Sequence, residues 1–250
     1  MKLSKNEKRI LSISVVITAL LALPTTASAM HIMEGYLPVG HFLIWSLISI
    51  PFLVYGIIRL RYVVREHKRS LILLAMSGAF VFVISSLKIP SVTGSCSHMT
   101  GTGLSAILFG VGPTIILGII VLIFQAILLA HGGLTTLGAN TFSMAIAGPF
   151  LTWIFYRAGK KLKLNMMANV LIAVTLGSLL TYVITALQLA IAHPSETGGI
   201  VASAASFLAV FAPTQIPLSV VEALLTVLVI TGMEKVAKRE LEDISFAEVN

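Results

Sequence analysis

Long apolar runs, separated by short polar breaks, make up almost the whole chain. The runs lie at about residues 41–60, 70–89, 104–109, 113–130, 141–156, 170–191 and 204–233, after a shorter one at 10–23. Most are long enough to cross a hydrocarbon core of roughly 30 Å as a helix. The pattern predicts an all-α, polytopic membrane bundle with about seven transmembrane helices.

The breaks carry the bases. Arg59, Arg61, Arg65, Lys68 and Arg69 close the first long run, Arg157, Lys160, Lys161 and Lys163 follow the fifth, and Lys235, Lys238 and Arg239 follow the last. Lys/Arg-rich loops face the cytoplasm. With residue 30 outside, the loop 90–103 is external, and an odd number of crossings must separate it from Arg157. The apolar sequence 104–130 is interrupted at Gly110-Val111-Gly112-Pro113, where glycine and proline end or kink a helix. Counting two segments there, the first unusually short, satisfies the parity. The loop 193–199 is then external and the tail 234–250 cytoplasmic. The last run contains Pro213 and Pro217, which predicts an irregular first part.

The first apolar run differs from the rest. Met1 to Arg9 is basic, Ile10 to Leu23 is apolar over 14 residues, and Pro24 precedes Ala27-Ser28-Ala29. That order is a secretory signal with a small-x-small cleavage site. The expected organisation is a cleavable signal peptide at 1–29, a transmembrane domain at 30–233 and a cytoplasmic tail at 234–250.

Composition narrows the function. The 250 residues are 57% hydrophobic and 11% charged, which excludes a soluble globular domain. The net charge of +7 sits in the few basic loops and reflects topology rather than nucleic-acid binding. A single cysteine, Cys96, excludes an intrachain disulfide and a zinc ribbon. No Asp or Glu occurs between Leu71 and Ser195. This argues against a self-sufficient carrier working by intramembrane carboxylates and against an oxygen cage for Mg²⁺ or Ca²⁺. Glu222 is the one acid inside a span, and it should pair within the bundle or at a partner contact. There is no Gly-x-x-x-x-Gly-Lys-Ser/Thr loop and no His-Glu-x-x-His helix, so the chain reads as neither an ATPase of that type nor a zinc protease. A transport step would draw its energy from a partner or a gradient.

Cleavage after Ala29 would leave a free amine on Met30, one residue from the His31 imidazole. The amine, the His31 amide nitrogen and the imidazole can close adjacent five- and six-membered chelate rings on one metal ion. His98, in the loop on the same expected side, could add a fourth nitrogen. Four nitrogens in a plane favour Ni(II) or Cu(II), and Co(II) accepts the same donors. The plainer alternative is that His31 and His98 are polar residues packing an external loop. The other histidines carry the plainer reading: His41 as an interfacial cap, His67 as solvated in a basic loop, His131 and His193 as external loop residues. Cys96, Met33 and Met99 read as packing.

Two stretches, Met30-His31-Ile32-Met33-Glu34-Gly35-Tyr36-Leu37-Pro38 and Ser95-Cys96-Ser97-His98-Met99-Thr100-Gly101-Thr102-Gly103, resemble the cobalt-type substrate-binding component of energy-coupling factor (ECF) transporters. Ala130 to Asn140 and Pro217 to Glu222 also resemble that family, with Met99 standing where proline is expected. The resemblance implies a metal-capture subunit in the cell membrane that binds Co²⁺, or Ni²⁺ as in its nickel-type relatives, as transported substrate rather than as a resident cofactor. It implies Met30, His31 and His98 as ligands. It implies as partners a transmembrane coupling subunit, ATP-binding subunits that hydrolyse the ATP, and a small accessory membrane protein, with the metal supplied to cobalamin biosynthesis.

N-terminal sequencing of the membrane-extracted protein should return Met30. A chain that begins at Met1 lacks the amine ligand.

Overall fold

The computed structural model describes residues 31–90 and 96–249. The expected signal peptide and Met30 lie outside the described residues. Among the described residues the regular structure is helical apart from one two-stranded sheet, and four of the helices are long and apolar enough to cross a membrane.

Helix α1, Val39–Glu66, starts directly after Pro38, whose ring suits an extended residue at a helix start. Only Ser49, Gly56 and Val63 are buried along it. Their spacing of seven puts them on one stripe. The remaining surface carries exposed Leu43, Ile44, Leu47, Ile50 and Val54, as suits a helix whose solvent is lipid. The buried stripe is small because another helix crosses closely. A Cβ on Gly56 would lie 3.0 Å from the Gly112 carbonyl oxygen, and one on Gly112 would lie 2.5 Å from Arg59 Cβ. Small residues at a crossing replace the hydrophobic driving force that lipid removes.

Helix α2, Leu71–Ser86, leads into strand β1, Lys88–Pro90, which pairs antiparallel with β2, Cys96–His98, with Lys88 opposite His98. The short helix required by charge parity is α3, Thr102–Phe109. The break falls at Gly110, φ +77, and α4 runs from Val111 to Leu128 through Pro113. Proline is tolerated there because it sits in the first turn. A short α5, Leu137–Asn140, passes through a π-helical turn, Thr141–Ala147, into α6, Gly148–Lys161. The Asn165 side chain accepts a hydrogen bond from the Ala168 N–H at 2.8 Å and caps α7, Met166–Ala192. Helix α8, Gly199–Val236, is 38 residues long, and α9, Lys238–Val249, follows.

Three expectations change. The start of the last span is regular helix from Gly199 rather than irregular, with Pro213 and Pro217 inside it. The tail is a helix that folds back: Ile244 is buried against a core made by Val63, Leu73, Leu74, Leu108, Ile230 and Met233. His67 is buried rather than solvated, because α9 covers it and sets Asp243 Oδ1 3.5 Å from its Nδ1.

That core lies at the base-rich end of the bundle. A second core, of Ile32, Leu37, Ala139, Tyr182, Leu189 and Phe211, lies at the other end. The segment before α1 is therefore not a loose leader. Its Ile32 and Leu37 side chains are packed between helices, and this holds His31 inside the protein.

The Gly56–Gly112 crossing gives a test. Gly56→Leu should lower the thermal midpoint in detergent, at a cost of about 1–3 kcal/mol for overpacking, measured by fluorescence-detected size-exclusion after heating. Correctly folded protein should keep its metal affinity, because the crossing is remote from His31.

Candidate metal centre

Three histidines from three parts of the sequence meet at this second end. His31, His98 and His131 each offer a ring nitrogen, and all three nitrogens lie within 4.8 Å of one another. The residues are at most 2% exposed. His31 Nδ1 is 3.0 Å from His131 Nε2 and His31 Nε2 is 3.1 Å from Met144 Sδ. The His31 and His98 rings are nearly parallel, 12° apart with centroids at 4.4 Å. The His131 ring stands at 86° to the first and 85° to the second. Met144 reaches the site from the π-helical turn, a rare element that often occurs at functional positions.

The arm that carries His31 is held by its neighbour's backbone. Ile32 N–H donates to Asn140 Oδ1 at 2.9 Å, and Ile32 C=O accepts from Asn140 Nδ2 at 3.1 Å and from Thr136 Oγ1 at 2.6 Å. One amide side chain thus meets both backbone polar groups of the residue next to His31. Further out, Gly35 N–H donates to Thr135 Oγ1 at 3.0 Å, Thr135 N–H donates to the Glu34 carboxylate at 3.2 Å, and the Tyr36 carbonyl lies 2.8 Å from His193 Nε2. A hydrogen bond from the Thr135 side chain is the main cause that holds the Glu34 carboxyl below its ordinary range. Since this pKa is depressed on folding, the contribution is present above the unfolded value and is lost as pH falls through the folded one. Residues 131–133 can lie this close because they include Gly132, φ +76, and Gly133, where a Cβ would fall 2.6 Å from Glu34 Cα.

His98 is held differently. It ends β2 and precedes a turn at Gly101, φ +71, where a Cβ would sit 2.8 Å from Val81 Cα. His98 Nδ1 donates to the Met99 carbonyl at 2.8 Å. That bond puts the proton on Nδ1 and makes Nε2 the unprotonated ring nitrogen, as outer partners of metal-binding histidines commonly do. The Met99 side chain packs with Ile84 and Leu218. Gln215 Nε2 donates to the His98 carbonyl at 3.3 Å.

The turn after His98 closes on Glu222, which is fully buried in α8. Its carboxylate accepts from Thr100 N–H at 2.9 Å, Thr100 Oγ1 at 2.6 Å, Gly101 N–H at 2.8 Å and Ser178 Oγ at 2.9 Å. The acid expected to pair inside the bundle does so with a loop and with α7. Buried charge is tolerated when hydrogen-bonded in this way, and two backbone donors that no helix could serve are satisfied.

Sequence reasoning thus singled out His31 and His98, and the structure brings them together. Met30 lies outside the described residues. His131, read as a plain loop residue, belongs to the cluster. The available signal was its place in Ala130-His131-Gly132-Gly133, where glycines allow close approach. His41 begins α1 and His193 braces the arm, so neither joins the cluster.

Among known proteins, a family described as the cobalt uptake substrate-specific transmembrane region, CbiM, matches residues 31–240. The chain is 58% identical over 242 residues to the cobalt transport protein CbiM of Lachnoclostridium phytofermentans, covering 97% of each. It is 51% identical over 227 residues to that of Moorella thermoacetica, covering 91% of this chain and 88% of the relative. A crystal structure of a truncated transition metal transporter aligns with a TM-score of 0.71 at 26% identity, covering 82% of this chain and 98% of the other.

The Glu222 bracing predicts an effect at a distance. Glu222→Gln replaces one accepting oxygen by a donor and faces it toward Thr100 or Ser178. Cobalt affinity measured by competition titration should fall about 10–100-fold, the usual range for loss of an outer-shell partner, while Glu34→Gln should change it far less.

Proposed function

The chain belongs to the CbiM family of cobalt-uptake substrate-specific transmembrane proteins, membrane components of cobalt uptake, and from that premise we propose that it captures external Co²⁺ for an ATP-driven importer of the energy-coupling factor type. The ion is substrate, held by the Met30 amine exposed by signal cleavage, the His31 amide nitrogen and imidazole, and His98. The observation that carries this reading is the burial of His31 and His98 in one cluster, with the arm of His31 clamped by Asn140 and the turn of His98 braced by Glu222.

Binding replaces protons. The amine and both imidazoles must be neutral, and the metal displaces the proton of the His31 amide, so affinity falls as pH is lowered. The base-rich ends of α1 and α6 lie away from the histidines, and the positive-inside rule makes this a support for a metal site at the outer face of the cell membrane with α9 in the cytoplasm. The sequence lacks a phosphate-binding loop, so ATP hydrolysis falls to ATP-binding subunits. A transmembrane coupling subunit would carry their motion to this chain, with a small accessory membrane protein completing the assembly that feeds cobalamin biosynthesis.

A second reading is Ni²⁺ uptake by the same mechanism. It is favoured by the planar preference of four nitrogen donors that include an ionised amide.

The test is metal binding by the purified mature protein. His31→Ala with His98→Ala should abolish stoichiometric Co²⁺ and Ni²⁺ binding in titration calorimetry without changing the elution profile. Undiminished binding would sink the proposal. The wild-type affinity should also fall steadily from pH 8 to about pH 6, across the ordinary imidazole range.

A further inference from the structure

The planar set leaves one ring in the cluster without a role. The geometry points to His131 as a fifth nitrogen donor, axial to that plane, and as the residue that tilts the site toward Co²⁺ and away from Ni²⁺. This rests on the four-nitrogen reading above and extends it to metal choice.

The first support is a distance. Two nitrogens bound at right angles to one ion, with bonds of about 2.0–2.1 Å, lie about 2.9 Å apart. His31 Nδ1 and His131 Nε2 are 3.0 Å apart. Nδ1 is also the His31 nitrogen that a six-membered ring through the residue's own amide can reach. His131 Nε2 therefore already sits one edge of a coordination polyhedron away from a ligand atom.

The second support is direction. The His31 and His98 rings are 12° from parallel, and the His131 ring is 86° and 85° from them. Of the three imidazoles it is the one whose plane is turned across the other two, as a ring above the plane of the other donors can be.

The third is how the backbone presents it. His131 N–H donates to the Gln125 carbonyl at 3.1 Å, and the residues on either side both have positive φ, Ala130 at +46° and Gly132 at +76°. Leu129 N–H donates to the same carbonyl, so the bend is the left-handed cap that ends α4, and it turns His131 off the helix end into the cluster.

An axial imidazole distinguishes the two metals by electron count. In a strong planar nitrogen field, Ni(II) carries an electron pair in the orbital that points along the axis, and that pair repels a fifth donor. Co(II) has a single electron there and accepts one axial nitrogen. The same side chain therefore adds a bond to cobalt and little to nickel, a geometric selection of the kind that must replace raw affinity between neighbouring metals.

The test is low-temperature electron paramagnetic resonance of the mature protein loaded anaerobically with Co²⁺, alongside Co²⁺ and Ni²⁺ titrations. Wild type should give a low-spin cobalt signal whose hyperfine lines are split into triplets by one axial nitrogen. His131→Ala should lose the triplets and about 10–100-fold in cobalt affinity, the scale on which single site-shell residues act, with nickel affinity held within about threefold. Triplets that persist in the variant, or an unchanged cobalt-to-nickel ratio, overturn the assignment of His131 and leave the planar set standing. A high-spin signal from wild type overturns the planar set itself. If the variant does not fold, histidine labelled with nitrogen-15 in the unaltered protein must turn the triplets into doublets. Triplets that remain show that the axial nitrogen is not a histidine's, and the inference fails.

Discussion

Backbone that leaves the helical path inside a membrane bundle must have every polar group met by protein, because lipid supplies no partner. Among the described residues the chain leaves the helical path around His98 to Gly101, around Ala130 to Leu134, and in the arm from His31 to Leu37, whose Ile32 and Leu37 are packed between helices. Each break exposes amides and carbonyls that helix formation would have consumed. The distribution of polar side chains in an otherwise apolar interior follows from that debt. Glu222 serves the amides of Thr100 and Gly101, Asn140 and Thr136 serve both groups of Ile32, and Gln215 serves the carbonyl of His98.

The choice of side chain at each point follows from counting donors. Four donors converge on Glu222, and only a carboxylate offers two oxygens with acceptor capacity and no proton of its own. At Ile32 one donor and one acceptor must be met together, and an amide does both. An unmet buried group costs about 1–3 kcal/mol, so these few residues decide whether the irregular segments are ordered. Since the irregular segments carry all three clustered histidines, order in the polar scaffold is order at the candidate metal centre. Glu222 also ties the His98 turn to α7 and α8 at once, so the position of that ring depends on both helices.

Much of the architecture is legible in the sequence because the membrane writes it in a simple code. Hydrophobic runs mark the helices, and clustered bases mark one end. Charge parity required a short helix after His98, and Thr102–Phe109 is that helix. The misses have one physical source, which is that side chains were weighed where they stand in sequence. His131 looks like any loop histidine until the chain folds it against His31, 100 positions away. His67 looks solvated until α9 folds over it. The π-helical turn that carries Met144 has no pattern of its own, since it is ordinary helical sequence with one widened turn. The prolines of α8 misled in the other direction: a helix packed along its length against α7 absorbs them.

The account turns on a nitrogen-rich site built from imidazoles in this cluster. Cobalt K-edge X-ray absorption on the mature, cobalt-loaded protein reads the ligand shell directly. The account predicts a first shell of nitrogen at about 2.0 Å with the outer-shell scattering pattern of more than one imidazole. A shell dominated by sulfur at longer distance, or one without imidazole scattering, would contradict it.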